Sequence, residues 1–242
     1  MTAFRRRLTT LYYEILKMDR VRNVYCRIRY RFRKGNMRTL ESLSDAVGTH
    51  TLSHNKAALE GPAGFGMANR MALLIYPVAA ALRMKPDAQV LIVGPRTEDD
   101  IFWTRALGLR NARGLDLFSY SKMIDVGDMH ATGFESGQFD AVILGWVISY
   151  SRDPERMVKE CKRIVKPGGY IAFGIESNPD VRRSGVFSLP RVNALNSGAD
   201  IARLANLPIL FLHDPEVDVP TDNAVVFQMQ NGGVRNPPAA RQ

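Results

Sequence analysis

From residue 67 onward the chain switches repeatedly between two hydrophobic periods, and this alternation restricts its fold more than any other feature. Short apolar runs at 89–94, 112–118, 123–126, 139–145 and 170–175 have the length and β-branched content of strands. Segments of helical spacing at 67–84, 98–108 and 154–165 separate them. Apolar strands joined by helices need cover on both faces, so the pattern predicts an α/β fold with a doubly wound, mostly parallel sheet. A helix is expected near 193–206. After it, ILFLHD and NAVVFQMQ read as two strands across a Pro-rich turn, an antiparallel pair closing the sheet edge. The domain is expected to span 67–230, and 231–242 reads as a disordered tail.

The basic charge lies elsewhere. Residues 1–38 hold twelve of the 33 lysines and arginines against only Glu14 and Asp19, while the rest of the chain carries 21 bases and 22 acids. Phe4, Leu8, Leu11, Ile15 and Met18 recur at helical spacing, and Val21, Tyr25, Ile28 and Phe32 continue nearly in phase. Arg27 to Arg33 also alternates like a strand, and periodicity does not decide between the two there. The arm therefore reads as a basic amphipathic segment with three open destinations: an anionic membrane surface, the domain itself or a second subunit, or nucleic acid through arginines and tyrosines at 25–33. Residues 39–66, with Gly61, Pro62, Gly64 and Gly66, read as a linker or flap.

Cys26 and Cys161 form no metal spacing with the four histidines, which points to neither a zinc site nor a disulfide framework and fits a reducing, cytoplasmic compartment. LTTLYYEILKM is a poor secretory signal, because Glu14 and Lys17 interrupt it and no small-residue cleavage site follows. The apolar run Met71 to Leu82 contains Pro77 and falls short of the roughly 20 residues of a bilayer span, so it reads as a buried helix.

In an open α/β sheet, ligands sit at the carboxyl ends of strands where the order reverses. The exits to inspect are Gly94, Asp116, Asp128 and Gly145-Trp146. An acid ending the second strand, about 20 residues after the first turn, suits ribose hydroxyls, as in Rossmann-like dinucleotide folds. Asp116 holds that position, and a turn-forming Asp ending a strand is the plain alternative.

The run GDMHATGFESGQFDAVILGWVISYSRDPERMVKECKRIVKPGGYIAFGIE, 127–176, resembles the second half of a class I S-adenosylmethionine-dependent methyltransferase of the type 11 kind. There an acid after the third strand contacts adenine, FDAV opens the fourth strand and KPGG makes the turn into the fifth. The resemblance implies S-adenosyl-L-methionine as cofactor, a ribose role for Asp116, an adenine role for Asp128 with Met129 beside it, and a cofactor-lining role for Gly94. By position Arg96, Thr97 and Gly145 join that lining. KPGG also has a structural explanation, since Pro167 stops a helix and its glycines permit positive φ.

The first turn departs from the family. Where acid-x-Gly-x-Gly-x-Gly is usual, this chain has Ile92, Gly94, Arg96 and Glu98. Thr97 can cap the next helix with Asp100 as capping-box partner, so the turn does not require the lost glycines. Glu98, Asp99 and Asp100 would repel a pyrophosphate at that helix start but tolerate a ligand carrying an ammonium and a sulfonium. They also have a plain explanation as acids stabilising the helix dipole.

Trp146, Ser149 and Tyr150 follow the fourth strand on the acceptor side, and His130 follows Asp128. His130 and Tyr150 are the catalytic candidates, with His213 a further candidate base. GWVISY lacks the Asn/Asp-Pro-Pro-aromatic run of enzymes that methylate exocyclic amines of nucleic acids. The expected activity is methyl transfer to a small-molecule or glycan acceptor. The alternatives are a non-catalytic binding or scaffold protein of the same fold, and an RNA-directed methyltransferase.

Overall fold

The computed structural model describes residues 3–41, 53, 59, 69–178, 180, 193–215 and 219–230. The expected linker therefore falls mostly, and the expected tail entirely, outside the described residues. Helices α1 (Ala3–Leu16) and α2 (Asp19–Arg33) are followed by a two-residue strand β1 (Arg38–Thr39) and helix α3 (Ala72–Ala81). Then come β2 (Gln89–Val93), α4 (Asp99–Ala106), β3 (Asn111–Asp116), β4 (Phe118–Ser119), β5 (Ile124–Val126) and β6 (Phe139–Leu144). The chain continues through α5 (Pro154–Ile164), β7 (Val165–Ser177), α6 (Gly198–Ala205), β8 (Ile209–His213) and β9 (Thr221–Gln228).

Seven strands form one sheet in the order β5-β3-β2-β6-β7-β9-β8. The first five pair in parallel, and β9 runs antiparallel between β7 and β8. The chain thus winds outward from β2 to β5, returns to β6 and winds out again, so the order reverses between β2 and β6.

Strand alternation assigns alternate side chains to the two faces. Leu91 and Val93 belong to one buried cluster with Met157, Val158 and Cys161 of α5 and Ile201 of α6. Val90 and Ile92 belong to the other, with Leu74, Ile75 and Val78 of α3 and Ile101 and Trp103 of α4. The run Met71 to Leu82 is thus a core helix as its length implied. No helix among the described residues is long and apolar enough to cross a membrane.

One element differs from its sequence reading, and another was left open by it. β7 begins at Val165, ahead of the expected 170, because Val165 already pairs with Phe139 before the register shifts to Tyr170 with Ala141. Lys166-Pro167-Gly168-Gly169 is therefore an irregularity inside the strand rather than a turn before it. Gly168 takes φ 74°, and a Cβ at Gly169 would lie 2.8 Å from the Asp140 carbonyl oxygen.

The segment left open is Arg27 to Arg33, which is helical. Arg22, Cys26, Arg29 and Arg33 share one face of α2 by their spacing, and the partners of the arginines lie at the start of α4. Arg22 is fully buried: Nε donates to Asp99 Oδ1 at 3.1 Å, Nη1 to the Leu16 carbonyl at 3.1 Å and Nη2 to Asp19 Oδ1 at 2.7 Å. Its guanidinium lies 4.8 Å above the Trp103 ring. Arg29 grips Glu98 with both Nε and Nη2, the latter at 2.8 Å, and Arg33 Nη1 lies 3.6 Å from Glu98 Oε1. Leu16, Cys26, Leu59, Phe102, Ala106 and Phe118 make an apolar cluster beside these pairs. β1 adds an antiparallel pairing with β4. One face of the arm is thereby built into the domain.

Candidate functional site

The strand exits converge at the reversal. Gly94 N donates to the Leu115 carbonyl at 2.9 Å, Gly127 N to the Asp116 carbonyl at 3.0 Å and Gly145 N to the Val93 carbonyl at 3.4 Å. Among the described residues three non-glycines take positive φ: Arg96 at 53°, Trp146 at 59° and Asn206 at 46°. Asn206 is the left-handed C-cap of α6, an ordinary place for asparagine. The other two flank the reversal, one at each central exit, where left-handed backbone costs a side-chain-bearing residue about 1–2 kcal/mol.

Arg96 stands where the family's second glycine would be. Its backbone keeps a glycine-like conformation, so the turn's path survives although the residue type does not. Gly94, at φ 70°, is restricted twice over, because a Cβ there would overlap the Val147 side chain. Trp146 is buried with its ring against Gly174 and under the Arg70 guanidinium, 4.6 Å from the ring centre. Its Nε1 is buried with no hydrogen-bond partner among the described residues.

Asp116 is buried and organises the turn: Oδ2 accepts from Arg96 N at 3.0 Å and Oδ1 from Leu117 N at 2.7 Å, with the Phe118 amide adding a third bond. A carboxylate offers about four acceptor positions, which leaves about one for a ligand hydroxyl. Burial pushes its carboxyl up to about 6 despite these amides. Asp100 is pushed up to about 7, by burial and by the neighbouring Asp99, against the pull of Arg22, Arg70 and Arg96. The Arg96 guanidinium feels Asp116, Tyr150, Arg70 and Asp100, and its own burial lowers its pKa. Two arginines and two acids thus gather around one turn.

The capping reading needs correction. Thr97 is buried and its Oγ1 accepts from Asp99 N at 3.2 Å, but Glu98 occupies the N-cap position without a side-chain cap bond, and no capping box to Asp100 is formed among the described residues. The acids also divide. Glu98 and Asp99 hold arginines of the arm, and only Asp100 lies within electrostatic reach of Arg96 and Arg70. The plain reading of all three as dipole acids and the reading of all three as cofactor-facing are both too simple.

At the third exit, Asp128 Oδ1 accepts from His130 N at 2.8 Å and lies 2.6 Å from His130 Nδ1. His130 holds the Asp128 carboxyl below its usual range. His130 Nε2 is 2.7 Å from Ser151 Oγ, on the segment after β6. Met129 turns into the core against Leu91 and Val93. Tyr150 is partly exposed at the same exit as Trp146. His213 ends β8, four strands from β2 at the sheet edge, and does not join this group. Arg70, Ser151 and the tryptophan's strained backbone were not singled out as site features in the sequence. A lone arginine leading into a buried apolar helix was the available signal for the first, and the other two depend on contacts between distant segments.

The geometry defines a class first: an open α/β sheet of methyltransferase topology whose strand order reverses between β2 and β6. Residues 106–173 match the family model for a methyltransferase domain. No curated protein matches the chain in sequence. Among solved structures, the 4+2 cyclase SpnF aligns with 13% identity over 81% of this chain and 100% of its own, with a TM-score of 0.52. A chain of the complex between the Haloferax volcanii Trm112 methyltransferase activator and a methyltransferase aligns with 16% identity over 78% and 100%, with a TM-score of 0.51. An arsenic(III) S-adenosylmethionine methyltransferase from Chlamydomonas reinhardtii aligns with 18% identity over 61% of this chain and 65% of that one, with a TM-score of 0.44. The fold is that of class I S-adenosylmethionine-dependent methyltransferases, residues 106–173 carry the methyltransferase-domain match, and S-adenosyl-L-methionine is the cosubstrate which that family uses.

Proposed function

We propose that the chain transfers a methyl group from S-adenosyl-L-methionine to a small-molecule or glycan acceptor at the reversal between β2 and β6. The observation that carries this reading is the first turn. It keeps left-handed backbone at Gly94 and Arg96 while surrounding itself with Arg96, Arg70, Asp100 and Asp116, a set matched to a ligand bearing a carboxylate, an ammonium and a ribose.

In this reading Asp116 accepts one ribose hydroxyl, and Asp128, whose Oδ1 is held by His130 on a half-exposed carboxylate, accepts the adenine amine through Oδ2. Arg96 and Arg70 hold the methionine carboxylate, Asp100 faces the ammonium, and Thr97, Gly94 and Gly145 fix the turns on which these groups sit. The cofactor supplies a methyl carbon activated by its sulfonium. Methyl transfer is an in-line displacement, so aligning the acceptor and excluding water provide most of the catalysis. For a hydroxyl acceptor, His130 oriented by Asp128 takes the proton once the Ser151 hydroxyl turns off Nε2, with Tyr150 lining the acceptor side.

One observation favours the non-catalytic alternative: the Arg96 guanidinium lies among site residues where glycine would leave space. Calorimetric and thermal-shift titrations with S-adenosylmethionine, its demethylated product and NAD distinguish the readings. Saturation at 100 times the dissociation constant is expected to stabilise the fold by about 2.7 kcal/mol with the first two ligands and not with NAD. Asp116→Ala is expected to weaken binding by about 2–4 kcal/mol, as a charge-assisted bond and the turn's anchor are lost together. Absence of any shift with cofactor and product gives the case to the scaffold reading.

A further inference from the structure

The docked arm leaves its other face uncovered. Phe4, Leu8, Leu11, Ile15 and Met18 of the α1 stripe, and Val24, Ile28 and Phe32 at i, i+4 and i+8 on α2, are between 42% and 84% exposed. Helices α1 and α2 both contact α4, so these side chains point away from the domain. Soluble surfaces rarely gather large apolar side chains so densely without a partner.

The charges identify that partner. Arg5, Arg7, Arg20, Arg31 and Lys34 are exposed on the same two helices. The arm's two acids are already engaged within it, Glu14 by Lys17 at 2.7 Å and Asp19 by Arg22 at 2.7 Å. A second copy of this chain would bring like charges together. Nucleic acid would want stacking platforms, but Tyr25 and Tyr30 are turned inward, edge-on to Phe102 at 5.2 Å and to Tyr120 at 5.0 Å. Basic side chains flanking an apolar helical stripe complement an anionic bilayer, which accepts the stripe below its headgroups and the arginines among them.

We infer that the outer face of α1 and α2 is a docking surface for anionic membranes, and that the inner face couples the docked arm to the domain through Arg22 and Arg29. The same helix α4 that receives these arginines starts directly after the Gly94 to Thr97 turn. Docking therefore holds the site about two helix diameters, roughly 20 Å, from the lipid surface.

The test is co-sedimentation of the full chain with vesicles of phosphatidylcholine alone and of phosphatidylcholine with phosphatidylglycerol, at low and high salt. Expected are binding to the anionic vesicles only, weakening with salt, a loss of about fivefold in partitioning per arginine for Arg5→Gln and Arg7→Gln, and a loss of about tenfold or more for Leu11→Glu with Ile28→Glu. These side chains are exposed, so unchanged thermal unfolding verifies that the variants are folded. Full-length protein that ignores anionic vesicles at low salt overturns the inference, as does equal binding to neutral vesicles. A dimer in solution that Leu11→Glu dissolves would assign the face to a second copy, and a salt-dependent shift of structured RNA without vesicle binding would assign it to nucleic acid. Either result also overturns it.

Discussion

Replacing Arg22 by alanine should unseat the arm and reveal how much of the domain's stability rests on it. The side chain is 1% exposed, and its guanidinium serves Asp99, Asp19 and the Leu16 carbonyl at once. Alanine leaves the Asp99 carboxylate, itself 10% exposed, without its partner, leaves a buried carbonyl unsatisfied, and opens a void beside Trp103. Removing one member of a buried ion pair costs about 3–5 kcal/mol. Burial already raises the Asp99 carboxyl and Arg22 is the group that lowers it, so in the variant Asp99 climbs further. The carboxyl then stays protonated to higher pH. The cost should accordingly be smaller at pH 5 than at pH 8, since protonation relieves more of the orphaned charge at the lower pH. Urea denaturation of the wild type, Arg22→Ala, Asp99→Asn and the double variant at both pH values supplies the cycle. The expected coupling is about 1–3 kcal/mol, with the double variant less destabilised than the sum of the singles. A destabilisation under about 1 kcal/mol for Arg22→Ala, or a coupling near zero, would refute the idea that the arm is anchored by charge.

Two further outcomes follow from the site. With Asp116 raised to about 6 and Asp100 to about 7, cofactor affinity should rise with pH, and the Asp116 proton by itself makes it about tenfold weaker at pH 5 than at pH 8, with Asp100 adding to the loss. Over the same window the unliganded native state binds more protons than the unfolded chain, so these two groups make stability fall as pH rises from about 4 to 7; a flat calorimetric affinity profile would contradict both. Arg96→Gly should raise the unfolding midpoint modestly, by relief of about 1 kcal/mol of left-handed strain, while weakening cofactor binding about tenfold or more through loss of a charged carboxylate partner. Tighter binding instead would mean that the arginine obstructs the site.

The sheet could be read from the sequence because its strands announce themselves locally: apolar runs of strand length bounded by Gly, Asp and Asn. Gly94, Asp116, Asp128 and Gly145 were found by the same logic, since strand exits follow from strand positions. What escaped was every feature made by residues far apart in the chain. The segment Arg27 to Arg33, whose pattern suits helix and strand alike, is helical, with Arg29 and Arg33 answering Glu98, and Arg22 answering Asp99, some seventy positions later. No local period records such a pairing. The third pairing of His130, with Ser151, likewise joins the ends of β5 and β6. KPGG was recognised but misplaced by position, because only the register between Phe139 and Val165 extends β7 back past it.

Glu98 sits where the family's first turn carries its third glycine, and its carboxylate is the anchor for Arg29. Placing glycine at 98 would therefore do more than loosen a turn, because it would strand a buried-side arginine of α2 and leave the arm held by Arg22, Asp99 and the apolar cluster alone. Conversely, deleting the arm would leave the fully buried carboxylate of Glu98 with the Ser121 hydroxyl but no positive charge from α2. Neither position can revert to the family pattern alone. The unusual turn and the basic arm form one heritable unit, so a transplant of this arm onto a glycine-rich methyltransferase domain would need residues 98 and 99 to travel with it.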